Sequence, residues 1–345
     1  MASETHSPLR VGIVSTGLIA GFTTTAMAAS KGCQPVAVSS RTRAAADAFA
    51  GQHGLAHVFD DWRHMVASPH IDAVYVATPT APRETIAVFA AQQGKHVLAE
   101  KPFASLASLT AITAACQAAG VAFMDATHFT HHPRAALLRA TLHQRIGKVL
   151  AVRSSFYFPN NDRSNVRFDV SQEPMGAVGD MAWYTARAVA EFTPADATPV
   201  HSAGVLTRDA ATGAAVHGAG VLRLSDGCTA TWDVGYDCGT CTMDLQLLGE
   251  RGAISLDDFV LDWAQGFMLA TPGYPVGFSQ RCGVVNPAGF EWVPTPSAQS
   301  QSVLMMEDFA ALAGAPVGAA AAASIALSQR TQALLDSAWQ GLHGG

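Results

Sequence analysis

In this 345-residue chain, Glu100-Lys101-Pro102 is a stretch where residue type and position together suggest chemistry. The preceding Lys95-His96-Val97-Leu98-Ala99 has the apolar run of a buried parallel strand. Pro102 has no N–H to give a sheet ladder, so the strand must stop there. In an open parallel sheet the strand ends on that side border the ligand crevice, and a lysine fixed at such an end can reach a bound ligand. A surface Glu-Lys pair at a strand end is the plainer alternative. Asp180 and Tyr184 form a second candidate pair. They lie four residues apart on the helix expected from Met175 to Phe192 and so share one face, one turn apart. Arg187 and Glu191 extend that polar stripe, while Val178, Met181, Ala188, Val189 and Phe192 form the opposing apolar face. Here the plainer alternative is an amphipathic helix with its charges in water. An ammonium, a carboxylate and a phenol brought together can hold a substrate oxygen and move a proton at it.

The elements that must position Lys101 alternate regularly. Arg10–Ser15, Gln34–Ser39, Asp72–Ala77, His96–Ala99 and Val121–Met124 are short apolar strands. Leu18–Ser30, Ala44–His53, Glu84–Gln93 and Ser105–Ala119 carry helical patterns between them, with Gly94 and Gly120 as stops. Such alternation predicts parallel βαβ units and a doubly wound α/β sheet of Rossmann type. The first strand runs into Ser15-Thr16-Gly17-Leu18-Ile19-Ala20, a dinucleotide fingerprint with serine in the first glycine position. Gly17 would let the backbone approach a pyrophosphate, which the following helix N-terminus favours through its free N–H groups and dipole. The second strand ends in Ser39-Ser40-Arg41-Thr42-Arg43, with no acid before Asp47. Two hydroxyls and two guanidinium groups suit an adenosine 2′-phosphate, so NADP(H) is expected ahead of NAD(H).

Beyond Pro133 the alternation ends. Ala135–Arg145 is a helix, Lys148–Phe158 a strand, and residues 159–174 are polar and irregular. Strands follow near 200–206, 215–224, 228–236, 242–248 and 253–256, with Ser225-Asp226-Gly227-Cys228 as a hairpin turn. These predict an α+β domain with an open, mainly antiparallel sheet. Residues 271–300 hold many Pro and Gly and are expected as a long loop; 307–314 and 324–341 are helical. The expected division is 1–127 and 128–345, with the last helix packing back on the first domain.

Apolar residues make up 49% and charged residues 14%, a globular composition, and the net charge of −6 argues against nucleic-acid or anionic-membrane partners. No apolar run reaches membrane-spanning length, and residues 1–9 lack the basic start and apolar core of a secretory signal. Six scattered cysteines fit reduced thiols and a cytoplasmic location. Cys238-Gly-Thr-Cys241 lacks a second pair, and the cluster His128, His131, His132 lacks a carboxylate or thiol at matching spacing, so no metal is expected.

The Gly17 turn, Ala77-Thr78-Pro79-Thr80, Glu100-Lys101-Pro102 and the run Gly176 to Tyr184 together resemble the Gfo/Idh/MocA oxidoreductase family over nearly the whole length. Residues 10–19 look like its dimeric dihydrodiol dehydrogenases and NADP-dependent xylose dehydrogenases; residues 124–134 and 176–184 look like a plant-type branch. Two positions depart from the family: Arg83 stands where a histidine is frequent, and His131 where an arginine is frequent. The resemblance implies a cofactor site of Ser15, Thr16, Gly17, Leu18, Ile19, Ser40, Arg41, Arg43, Thr78, Pro79, Thr80, Glu100 and Lys101. It places the Asp180–Tyr184 helix across the nicotinamide. Tyr184 would then be the general acid/base. Lys101 would lower its pKa from the usual phenol value of about 10. Asp180 would bind a substrate hydroxyl or hold Lys101, and His131 and Arg187 would line the pocket. The expected activity is hydride transfer at a hydroxyl/carbonyl carbon of a sugar, cyclic polyol or trans-diol, in a homodimer or homotetramer. A non-turning-over cofactor sensor, a glycosidase using bound NAD, and imine or enamine reduction are the alternatives.

Overall fold

A computed structural model describes residues 7–343; residues 1–6, most of the N-terminal stretch read above, and 344–345 lie outside it. The chain divides into two compact units. One holds the residues through Phe103 with 107–128 and 300–326; the other holds 104–106, 129–299 and the residues from 327 on.

The first unit contains strands β1 (Leu9–Val14), β2 (Cys33–Ser39), β3 (His57–Phe59), β4 (Ala73–Val76), β5 (His96–Ala99) and β6 (Phe123–Asp125). Between them run α1 (Leu18–Ala29), α2 (Arg43–His53), α3 (Trp62–Ala67), α4 (Thr80–Gln92) and α5 (Leu106–Ala119). All pairings are parallel, in the order β3-β2-β1-β4-β5-β6, the doubly wound arrangement with its switch point between β1 and β4. Both faces of the sheet are covered, which is why Val11, Ile13, Val74, Tyr75, Val97 and Leu98 are fully or almost fully buried. The short β3 and α3 went unrecognised in the sequence. Asp61 caps α3 by accepting from Arg63 N–H at 2.8 Å, a local signal that marks its start.

Residues 300–326, expected in the second domain, belong to this first unit. Ser300 caps α8 (Gln301–Gly314), which starts six residues earlier than its apolar pattern suggested. Met305, Met306 and Phe309 of α8 join the core formed by Val11, Ile13, Met27 and Val38. Each such buried side chain contributes about 1.5–3 kcal/mol. Glu307 Oε1 accepts from Lys31 N–H at 2.6 Å and fixes the register of the contact. The following helix, α9 (Ala319–Gly341), begins in this unit and passes to the second at residue 327.

The second unit holds α6 (Pro133–Ile146), β7 (Val149–Tyr157), α7 (Gly176–Phe192) and β8 (Pro199–Arg208). There follow β9 (Ala215–Leu224), β10 (Thr229–Gly235), β11 (Thr242–Gly249), β12 (Gly252–Leu256), β13 (Gly277–Cys282) and β14 (Glu291–Pro294). The sheet order is β14-β13-β12-β11-β7-β10-β9-β8. Every pairing is antiparallel except β7 with β10, so the sheet is mixed. The expected loop 271–300 in fact carries β13 and β14, which extend the sheet edge. Their sequences contain a glycine, a proline and exposed residues, and so lack a clear period-two pattern.

α7 lies on β7, β9 and β10. Gly176 has φ 47°, and a Cβ there would stand 2.4 Å from the Ala215 carbonyl oxygen, so only glycine lets the helix begin against β9. Of the α7 residues only Asp180 and Glu191 are not buried, which rules out the surface amphipathic helix. Glu191 pairs with Arg139 at 2.9 Å.

Candidate active site

At the carboxyl end of β1, Gly17 precedes α1 without any side chain capping that helix. A Cβ at Gly17 would meet only the Ser15 hydroxyl, at 3.5 Å, so the approach to the helix N-terminus is open. Ala20 is buried, as close helix–strand packing requires. Ser15 has φ 132°, a conformation that favours glycine. Its hydroxyl accepts from Gly17 N–H at 3.1 Å, which ties the turn locally. Thr16 and Ser40 place their hydroxyls 3.3 Å apart across the ends of β1 and β2. Arg41 is exposed beside them. Arg43 is not grouped with Arg41: as the first residue of α2 it donates to Asp47 Oδ1 at 2.8 Å, one turn on. Leu18 is exposed and Ile19 half-buried at the start of α1.

Thr78-Pro79-Thr80 leads from β4 directly into α4, with Pro79 at the cap position. The Thr78 hydroxyl oxygen is buried and has no hydrogen-bond partner in the protein. An uncapped helix start, an open glycine turn, paired hydroxyls and this orphaned oxygen fit a dinucleotide laid over the carboxyl ends of β1, β2 and β4.

Lys101 follows β5 and is half-buried; the Lys101–Pro102 peptide bond is cis. Glu100, beside it, accepts from the Tyr75 hydroxyl at 2.6 Å and from its neighbour's backbone, Lys101 N–H, at 3.3 Å. Burial pushes the Glu100 carboxyl above its ordinary range, and the Lys101 charge and the Tyr75 hydrogen bond hold it partly down. Arg83, noted in the sequence only as a departure from the family, is 3% exposed. Its guanidinium donates to the carbonyls of Thr78 and Pro102, and so fastens the strand-end turns of β4 and β5 to each other.

Other candidate residues lie in the second unit. Asp180 Oδ2 accepts from Arg167 Nε at 2.6 Å and from the Tyr236 hydroxyl at 3.0 Å. The Asp180 charge raises the Arg167 guanidinium above its ordinary value. Burial, then Asp180, pushes the Tyr236 phenol well above its own. Sequence reasoning missed Arg167 and Tyr236, which stand 13 and 56 residues from Asp180 and share no local pattern with it. Tyr184, one turn along α7, is 6% exposed, with ring centroids of Phe156 and Phe129 at 5.5 Å and 6.2 Å. Arg187, 3% exposed, lies with its guanidinium 5.7 Å from the Trp183 ring centroid. His131 is half-buried in a short 3-10 turn over 128–131.

The other histidines of that cluster have structural tasks. His132 caps α6 by accepting from Arg134 N–H through Nδ1 at 3.0 Å, and burial lowers its pKa to about 4. His128 Nδ1 lies 2.7 Å from Gln301 Nε2.

The doubly wound parallel sheet and its open glycine turn define a dinucleotide-binding fold. Residues 9–128 match the oxidoreductase family with an NAD-binding Rossmann fold, and residues 136–255 match the GFO/IDH/MocA C-terminal domain. The chain is 38% identical over 149 residues to scyllo-inositol 2-dehydrogenase (NADP(+)) of Bacillus subtilis, spanning 43% of this chain and 45% of that protein. It is 30% identical over 259 residues to dTDP-3,4-didehydro-2,6-dideoxy-alpha-D-glucose 3-reductase of Streptomyces violaceoruber, spanning 74% of each. The fold is shared with a 3-ketoreductase of Actinomadura kijaniata solved with NADP and TDP-benzene: TM-score 0.85, 23% identity, 97% of this chain and 98% of that one. The chain belongs to the Gfo/Idh/MocA family of oxidoreductases. Among the described residues no helix is long and apolar enough to cross a membrane.

Proposed function

We propose that the protein is an NADP-dependent dehydrogenase or reductase acting on a hydroxyl/carbonyl carbon of a sugar, cyclic polyol or trans-diol. The observation that carries this reading is α7. It is buried along its length, yet it presents a bonded, half-buried carboxylate, Asp180, one turn from a phenol, Tyr184, boxed by aromatic rings. Thr16, Gly17, Ser40, Arg41, Thr78 and Thr80 hold the dinucleotide, with Arg41 and Ser40 on its 2′-phosphate. NADP(H), when bound, supplies the hydride acceptor or donor. Tyr184 takes the proton from the substrate hydroxyl in oxidation and returns it in reduction. Lys101 stabilises the phenolate form of Tyr184 and binds the reacting oxygen. Asp180 accepts a hydrogen bond from a neighbouring substrate hydroxyl, and His131 and Arg187 border the substrate. A homodimer or homotetramer, on family resemblance, and a cytoplasmic location, on the scattered cysteines, complete the reading.

The test is a panel of scyllo-inositol, D-xylose and trans-1,2-cyclohexanediol with NADP+, followed by absorbance of the reduced cofactor. Turnover of at least one member is expected. Tight cofactor binding without turnover would favour a sensor. Release of sugar from a glycoside without net cofactor change would favour a hydrolase.

A further inference from the structure

Arg83 stands in an unfavourable place for a cation. It lies in the first turn of α4, where the helix dipole already concentrates positive charge, and that turn carries no acid to offset it. It is nonetheless buried, so water and salt screen its charge little. Backbone groups hold it there. Its guanidinium donates to the carbonyls of Pro102 and Thr78, and Nη1 also reaches the Thr80 hydroxyl at 3.5 Å. Carbonyl and hydroxyl oxygens are dipoles, so these bonds fix the guanidinium without cancelling its charge. Neighbouring groups feel that charge. Burial pushes the Glu100 carboxyl up, and Lys101, the Tyr75 hydrogen bond and Arg83 act against the rise. Burial and then Glu100 push the Tyr75 phenol up, and Arg83 again acts against them.

A dinucleotide in a doubly wound sheet straddles the switch point, here between β1 and β4. Its adenosine half goes with Ser40 and Arg41 after β2, which leaves the ends of β4 and β5 for the nicotinamide half. Arg83 fastens those two ends together. The oxidised ring carries a positive charge that the reduced ring lacks, while the phosphates and adenosine are common to both forms. A fixed cation near the ring therefore discriminates between them. We propose that Arg83 is a specificity-determining residue for the redox state of the cofactor: its buried charge favours NADPH over NADP+ and suits the protein to the reductive direction of its reaction. This rests on the function proposed above only for the placement of the nicotinamide and for the reaction whose direction it names. The other charged groups placed at the site are Glu100, Lys101 and His131, Asp125 at the end of β6, and Asp180 and Arg187 on α7. They are the same in every variant compared below, so the difference between variants reads Arg83 alone.

The test is titration of the full chain with NADPH and with NADP+, for the unmodified protein, Arg83→Lys and Arg83→Gln. NADPH should bind the unmodified protein about tenfold more tightly than NADP+. Arg83→Lys keeps the charge without the fork and should hold that ratio within about threefold. Arg83→Gln keeps a donor without the charge and should lower the ratio by about fivefold or more. Adenosine 2′,5′-bisphosphate lacks the nicotinamide and should bind all three proteins alike. The same ratios are expected of NADH and NAD+, so the outcome is independent of the 2′-phosphate. Equal affinities for the two redox forms in the unmodified protein, a result that needs no variant, would overturn the proposal. So would an unchanged ratio in Arg83→Gln. A fall in Arg83→Lys as deep as in Arg83→Gln would also overturn it, and would make Arg83 a brace for the two turns only. Absence of turnover with every member of the substrate panel would count against the proposed function and leave the binding ratios standing.

Discussion

The Tyr75 hydroxyl donates to Glu100 Oε1 at 2.6 Å and lies 3.0 Å from Thr23 Oγ1, so the middle of β4 is tied both to α1 and to the strand end that carries Lys101. The burial of Glu100 raises its pKa, so the folded state favours the protonated form. Its stabilising contribution is full below the unfolded value and is lost as pH rises through the folded one. Tyr75→Phe removes a donor from the ionised form. It should cost about 1–3 kcal/mol at pH 7 and less near pH 4, read as urea midpoints at the two pH values. An equal loss at both would show that Glu100 ionisation plays no part.

Ser15 supplies a second prediction. A non-glycine residue at φ 132° carries about 1–3 kcal/mol of backbone strain, offset in part by its bond to Gly17 N–H. Ser15→Gly should raise thermal stability by a few degrees and release that N–H, tightening NADPH binding. Weaker binding in the variant would mean that the serine hydroxyl itself contacts the cofactor.

Cofactor choice separates the two arginines after β2. Arg41 is exposed beside Thr16 and Ser40, whereas Arg43 is engaged by Asp47. Arg41→Ala should erase a preference for NADPH over NADH, and Arg43→Ala should leave most of it, as measured by cofactor fluorescence titration. Equal affinities in the unmodified protein would remove the case for NADP.

His132 gives a pH prediction with a defined sign. Its folded pKa of about 4 is below the unfolded value, so its contribution is complete above about pH 6.5 and is lost as pH falls towards 4. Relative to His132→Asn, which keeps a capping side chain without titrating, the unmodified protein should lose about 3 kcal/mol over that window. Parallel stability curves for the two proteins would contradict this.

The parallel half of the fold was legible because its strands are buried on both faces and its helices are locally punctuated. β1, β4 and β5 are short apolar runs, and Gly54, Gly94 and Gly120 end or follow helices in left-handed conformation. Edge strands were less legible. β13 and β14 lie at the open side of the mixed sheet, where exposed positions dilute alternation. The boundary of α8 was missed because its first turn begins with the polar residues Gln301 and Ser302, buried only through tertiary packing. Among the candidate residues, Asp180 and Tyr184 stand out in the sequence by spacing and Lys101 by a strand-ending proline. Arg167, Tyr236 and Arg83 did not, because their roles are set by contacts distant along the chain or by backbone carbonyls, which carry no residue-type signal.

The central claim is that Tyr184 moves the proton at the reacting oxygen. The most direct measurement compares Tyr184→Phe with the unmodified protein in two assays, NADPH affinity and turnover of the best substrate of the neutral panel. The account predicts unchanged affinity and a fall in kcat of about 10²–10⁴-fold. Turnover within a few-fold of the unmodified protein would contradict it.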